Sequence, residues 1–137
     1  MPDPHPPKDS RARLVLRLLA SLAFVVAGVL HFVFPDKYEH VIPPGFPSPK
    51  MLVLISGLAE IAGGVGLWIR PLRRAAGWGL IALLIAVFPA NVYMAVHPDY
   101  VANLTVGHWL LWARLPLQPV LIWWVWAVSL SRKRRAD

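Results

Sequence analysis

The sequence predicts an all-α fold, a polytopic membrane four-helix bundle with both termini on the cytoplasmic side, and three observations predict it. Of 137 residues, 57% are hydrophobic and only 15% are charged, against about 45–50% and about 25% in soluble domains, and the mean hydropathy is +0.54. The apolar residues fall into four runs, at 14–34, 51–69, 75–96 and 108–130. Each is close to the ~20 residues that cross a hydrocarbon core about 30 Å thick. Of the 14 basic residues, eleven fall on one side of these runs. Four spans leave no room for a second, water-soluble domain of ordinary size.

The first ten residues, MPDPHPPKDS, hold four prolines and no apolar run, so residues 1–12 read as a disordered cytoplasmic tail ahead of a membrane domain over 13–131. The run 14–34 is interrupted only by Arg17, Ser21 and His31. It exceeds the 7–15 apolar residues of a signal peptide and no A-x-A site follows it, so it reads as an uncleaved anchor. The stretch PDKYEHVIPPGFPSPK at 35–50 carries five prolines, which end the first helix and forbid another long one. Within it Tyr38, Val41 and Ile42 recur at i, i+3 and i+4, the spacing of a single interfacial turn. RPLRR at 70–74 is a tight basic connection between the second and third runs, HPDYVANLTVG at 97–107 is the next loop, and the basic tail 132–137 closes the chain.

The placement of charge fixes an orientation. Lys8, Arg11, Arg13 and Arg17, then Arg70, Arg73 and Arg74, then Arg132, Lys133, Arg134 and Arg135 share one side; only Lys37 and Lys50 lie on the other, and Arg114 falls inside a run. By the positive-inside rule that side is the cytoplasm. The basic tail therefore reads as a topology anchor attracted to anionic lipid in the bilayer, with no nucleic acid as partner. Trp68 and Trp78, then Trp109 and Trp112, then Trp123, Trp124 and Trp126 stand where interfacial belts are expected. The absence of cysteine removes disulfides, thiol relays and iron–sulfur ligands.

A charge at mid-bilayer costs on the order of 2.5–3.5 kcal/mol on insertion scales, so each polar residue in a run needs a reason. Five stand out: His31, Glu60, Asn91, Arg114 and Gln118. At 1.5 Å per residue Glu60 lies about 14 Å and Arg114 about 9 Å below the outer ends of their runs, with His31 and Asn91 shallower. Ser56, Gly57, Gly63 and Gly64 surround Glu60 at i−4, i−3, i+3 and i+4, a stripe of small residues that faces protein. Gly77, Leu80, Leu84, Phe88 and Asn91 share a face of the third run, and Pro89, Pro116 and Pro119 free the carbonyls of Ile85, Trp112 and Leu115. Glu60 is the single acid in any run, so an ion pair with Arg114 is its simplest neutralisation. That pair fits a structural tie between helices or a ligand site using the two charges directly. Arg114 snorkelling outward beside a protonated Glu60 is the third arrangement.

His31, His40, His97 and His108 all fall near the outer face, and two could hold a haem or three a zinc or copper ion, but their spacing matches no metal motif. The chain has no G-x-S-x-G, Walker loop or H-E-x-x-H.

The segments AGVLHFVFPDKYEHVIPP (27–44), SGLAEIAGGVGL (56–67), FPANVYMAV (88–96) and RLPLQPVLIWWVW (114–126) resemble the DoxX family of small four-helix bacterial membrane proteins, in order and spacing. That family takes its name from a subunit of a thiosulfate:quinone oxidoreductase and is similar to a maturation protein for methylamine dehydrogenase; other members are associated with membrane redox complexes, animal relatives act as receptor-assembly factors, and most members have no assigned activity. The resemblance implies the four-helix fold and a setting in membrane redox complexes. It places His31, Glu60, Asn91 and Arg114 at recurrent positions without assigning them a catalytic role. Two functions follow as expectations. One is the membrane subunit of a redox complex, with a quinone or other small molecule in a pocket open to the extracytoplasmic side and electrons from a soluble or membrane oxidoreductase. The alternative is a non-catalytic assembly or scaffold factor. The sequence leaves open whether the chain is an enzyme.

Overall fold

The computed structural model describes residues 9–97, 99 and 107–131, and every regular element among them is helical. The first helix, α1 (Arg11–Val33), starts where the Ser10 hydroxyl accepts from the Arg13 amide at 3.3 Å. It stops two residues before Pro35, which opens the short α2 (Pro35–Glu39). A short helical turn is thus present in this stretch, one turn earlier than the Tyr38–Val41–Ile42 spacing implies. A loop with Gly45 at φ 101° leads to α3 (Pro49–Gly66), again begun by a proline at a position where no amide donor is needed. The basic connection leads to α4 (Arg73–Val96), and α5 (His108–Ser129) ends the described chain. The four long helices match the four apolar runs to within three residues at each end. The start of α1 at Arg11 falls inside the segment expected to be tail; residues 1–8 and the basic tail 132–137 lie outside the described residues.

Three helices, α1, α3 and α4, are long and apolar enough to cross a membrane. Four were expected. The exception, α5, is 22 residues long but carries Arg114, Gln118, two prolines and five tryptophans, which dilute its apolarity.

The helices pack mainly with their neighbours in sequence: α1 on α3, α4 on α5, and α3 on α4, with a lighter contact closing α1 onto α5 and α2 resting on α3 and α1. The α1–α3 contact is made by small residues. A Cβ built on Gly28 would stand 2.5 Å from the Gly57 carbonyl oxygen, and one on Gly64 would stand 2.9 Å from that of Ser21. The Ser21 hydroxyl donates to the Gly64 carbonyl at 2.7 Å. Backbones can approach this closely only where side chains are absent. The main core joins Ala20 and Phe24 of α1 to Leu67, to Leu80, Ile81 and Leu84 of α4, and to Val125 and Val128 of α5. A smaller cluster of Met94, Ala95 and Leu111 lies toward the α2 end. Gly77, Leu80, Leu84 and Asn91 are buried as their shared face predicts, but Phe88 is exposed.

At the end of the molecule carrying the termini the structure corrects the reading of Arg17. Counted from the sequence among eleven topology markers at the start of the first run, it is 2% exposed, among the most buried side chains. Its Nε donates to the Val128 carbonyl at 3.2 Å and its Nη1 to Asp9 Oδ2 at 2.8 Å. Arg73 approaches the same carboxylate oxygen at 3.6 Å and donates through Nε to the Leu67 carbonyl at 3.0 Å. Arg13 donates to the Ser131 hydroxyl at 3.3 Å. The hydrogen bond from Arg17 holds the Asp9 carboxyl below its ordinary range.

Candidate functional site

The five polar residues picked out from the sequence separate into two pairs and one outlier. Asn91 of α4 and Gln118 of α5 meet: Asn91 Nδ2 donates to Gln118 Oε1 at 2.5 Å, and Gln118 Nε2 donates to the Leu84 carbonyl. Both side chains are buried. The accepting carbonyl is the residue before Ile85, whose own donor Pro89 removes, so the helix opens to a cross-helix donor one position earlier than proline chemistry alone predicts. This pair closes on itself and ties α4 to α5.

The second pair joins α1 to α3. His31 Nδ1 lies 3.4 Å from Glu60 Oε2, where the glycine stripe brings the two helices together. That ring nitrogen spends its hydrogen elsewhere, on the Ala27 carbonyl at 2.8 Å. Glu60 Oε2 is buried and accepts no hydrogen bond. Tyr38, projecting from α2, stacks on the His31 ring with centroids 4.0 Å apart and planes 25° from parallel.

The expected Glu60–Arg114 ion pair is not formed. Arg114 is exposed, and among the described residues it makes no ion pair or hydrogen bond. Its azimuth explains this: it sits about 40° around α5 from Gln118, on the flank of the buried line through Leu111, Gln118 and Val125. It nevertheless belongs to the same neighbourhood. Burial first, and then the charge of Glu60, hold the Tyr38 hydroxyl above the usual tyrosine range, while Arg114 pulls it the other way. The candidate site is therefore the His31–Glu60 pair, Tyr38 stacked on the imidazole, and Arg114 on the flank.

Tyr38 is the member that sequence reasoning placed only in an interfacial turn. The signal for it was present, since Tyr38 follows His31 by seven residues across a proline that folds the chain back. His40 and His97 repeat the behaviour of His31, each bonding its Nδ1 to the carbonyl four residues earlier, at 2.6 Å to Asp36 and 3.2 Å to Tyr93. Among the described residues no three His, Asp or Glu side chains gather as a metal site would need.

Residues 19–129 match the family described as a domain of unknown function, DUF8561. The chain belongs to this family. No curated protein and no solved structure gives a significant match. The matched stretch contains His31, Tyr38, Glu60, Asn91, Arg114 and Gln118, so the DUF8561 region holds the whole site; Asp9 and Arg17 fall outside it.

Proposed function

We propose that the protein is a DoxX-like integral membrane protein of the bacterial inner membrane, with four spans, both termini cytoplasmic and α5 as the fourth span. In this reading it is the membrane subunit of a redox complex, and the site at the α2 end binds a quinone-type small molecule from the extracytoplasmic side. The observation that carries the reading is the buried Glu60 Oε2 without a hydrogen bond, beside His31, Tyr38 and Arg114. Leaving a buried acceptor unpaired costs about 1–3 kcal/mol. A purely structural polar pair satisfies itself, as Asn91 and Gln118 do. An unsatisfied one is what a binding site keeps for its ligand.

A quinone suits the surroundings because it is a flat ring with two polar oxygens on opposite edges, and the site offers an aromatic stack, two donors in Tyr38 and Arg114, and a carboxylate. Reduction of a quinone to its hydroquinone takes two electrons and two protons, one proton on each oxygen. The electrons come from a partner oxidoreductase, Glu60 supplies the proton at one oxygen, and the second proton reaches the other oxygen from solvent beside the exposed Arg114. The test is extraction of protein purified from its own membranes in mild detergent. The reading expects quinone in near-stoichiometric amount and its loss in Glu60→Gln; a quinone-free preparation overturns it. A second reading, an assembly factor, is favoured by the saturated Asn91–Gln118 pair and expects a co-purifying complex whose abundance falls when the gene is deleted.

A further inference from the structure

We propose that the arginine cluster at the end of the molecule carrying the termini is a headgroup site for an anionic phospholipid, whose phosphate takes the place between Arg17 and Arg73 that the Asp9 carboxylate holds in this structure. Two guanidinium groups are anchored there by their Nε atoms, each on a backbone carbonyl at the end of another helix: Arg17 on Val128 at 3.2 Å and Arg73 on Leu67 at 3.0 Å. Their Nη edges converge on one point. Asp9 Oδ2 occupies it, 2.8 Å from Arg17 Nη1 and 3.6 Å from Arg73 Nη1. The position for an anion's oxygen is thus set by α1, α4 and the ends of α3 and α5.

Asp9 fills that position incompletely. At 3.6 Å its contact with Arg73 is too long for a hydrogen bond, and the Nη groups of Arg73 have no other acceptor among the described residues. One carboxylate also faces three guanidinium groups: the hydrogen bond from Arg17 first, then the charges of Arg17, Arg73 and Arg13, hold the Asp9 carboxyl down against burial. A phosphodiester has two non-bridging oxygens on a tetrahedral centre, enough for a charge-assisted bond to each anchored arginine. The surroundings select a lipid over a soluble phosphate. Leu14 and Leu18 beside Arg17, and Ile69 and Leu72 beside Arg73, are exposed apolar side chains. They offer a floor for acyl chains next to a cradle for the headgroup, as basic pockets between membrane helices do. Asp9 is 29% exposed and lies two residues before α1, so it can leave while Arg17 keeps its bond to Val128.

The experiment measures, by native mass spectrometry of the full chain in a neutral detergent, binding of short-chain phosphatidylglycerol and of phosphatidylcholine, which carries the same phosphate beside its own cation. The expected result is at least about fivefold tighter binding of phosphatidylglycerol by the wild-type protein, the worth of one arginine at an anionic surface. Asp9→Asn, which no longer competes as an anion, should widen that ratio by about threefold, the scale of one exposed ion pair. Arg73→Gln should bring the two lipids near equality. The gain in Asp9→Asn decides the matter even if Arg73→Gln folds poorly, because a misfolded protein does not bind more tightly. Equal binding of the two lipids by the wild-type protein, or an unchanged ratio in Asp9→Asn, overturns the inference. Displacement of the lipid by inorganic phosphate at equal concentration also overturns it, since the cradle would then serve a soluble anion.

Discussion

Two charges enter the helical core, Arg17 near one end of α1 and Glu60 beside the other, and the protein treats them in opposite ways. Arg17 is 2% exposed and every partner it needs is built in: a carbonyl from α5 and the Asp9 carboxylate. Glu60 is half-buried, 18% exposed, yet its enclosed Oε2 has no donor and its one close neighbour points its hydrogen at Ala27. The saturated charge fixes helices against each other. The unsaturated one spends stability to keep a bonding position vacant, as functional sites do.

If that contrast holds, substitutions should hurt in a definite order. Gly28→Leu, which strikes the α1–α3 contact on which both ends depend, should cost most, about 3 kcal/mol from overpacking against the Gly57 carbonyl. Denaturant titration of helical circular dichroism in micelles measures it. Arg17→Met should cost about 2 kcal/mol in the same assay, short of the 3–5 of a fully buried pair because Asp9 stays 29% exposed and can rehydrate. The Asp9 carboxyl, bonded to Arg17, titrates lower in the folded protein than its ordinary 3.8. Its contribution is therefore complete above about 3.8 and disappears as pH falls through the lower folded value. Asp9→Asn should flatten that acid limb of a stability profile while lowering stability at neutral pH.

Gln118→Leu strands the Asn91 amide and the Leu84 carbonyl, for about 1–2 kcal/mol. Thermal unfolding followed by tryptophan fluorescence should register it. Glu60→Leu should change stability least, by under about 0.5 kcal/mol or in the stabilising direction, since an unpaired carboxylate is replaced by a residue that packs. A large loss of stability there would place Glu60 with Arg17 and erase the distinction between the two ends.

The helices were legible in the sequence because their boundaries are chemical: Pro35 and Pro49 start elements, the RPLRR connection cannot cross a bilayer, and the small-residue stripe about Glu60 marks a face. The partners were less legible. Depth along a helix is a linear count, and it set Glu60 and Arg114 close together; the angle around α5 carries Arg114 to the flank, and no one-dimensional count contains it. Arg17 was hidden for a different reason. Its acid, Asp9, sits eight residues back in a proline-rich stretch, outside the three- and four-residue spacings by which helical ion pairs are recognised. Tyr38 reached the site through a chain reversal, which the prolines announce without saying where the ring will land.

The bond from Arg17 to the Val128 carbonyl spans 111 positions of sequence. During synthesis, α1 and α3 can seal their glycine contact as soon as both have emerged, and α4 and α5 can later close the Asn91–Gln118 pair between themselves. Arg17 has to wait. Its backbone acceptor lies on α5, so the guanidinium is saturated only once α5 has closed onto α1, and a chain cut short before α5 would carry that cation unfinished.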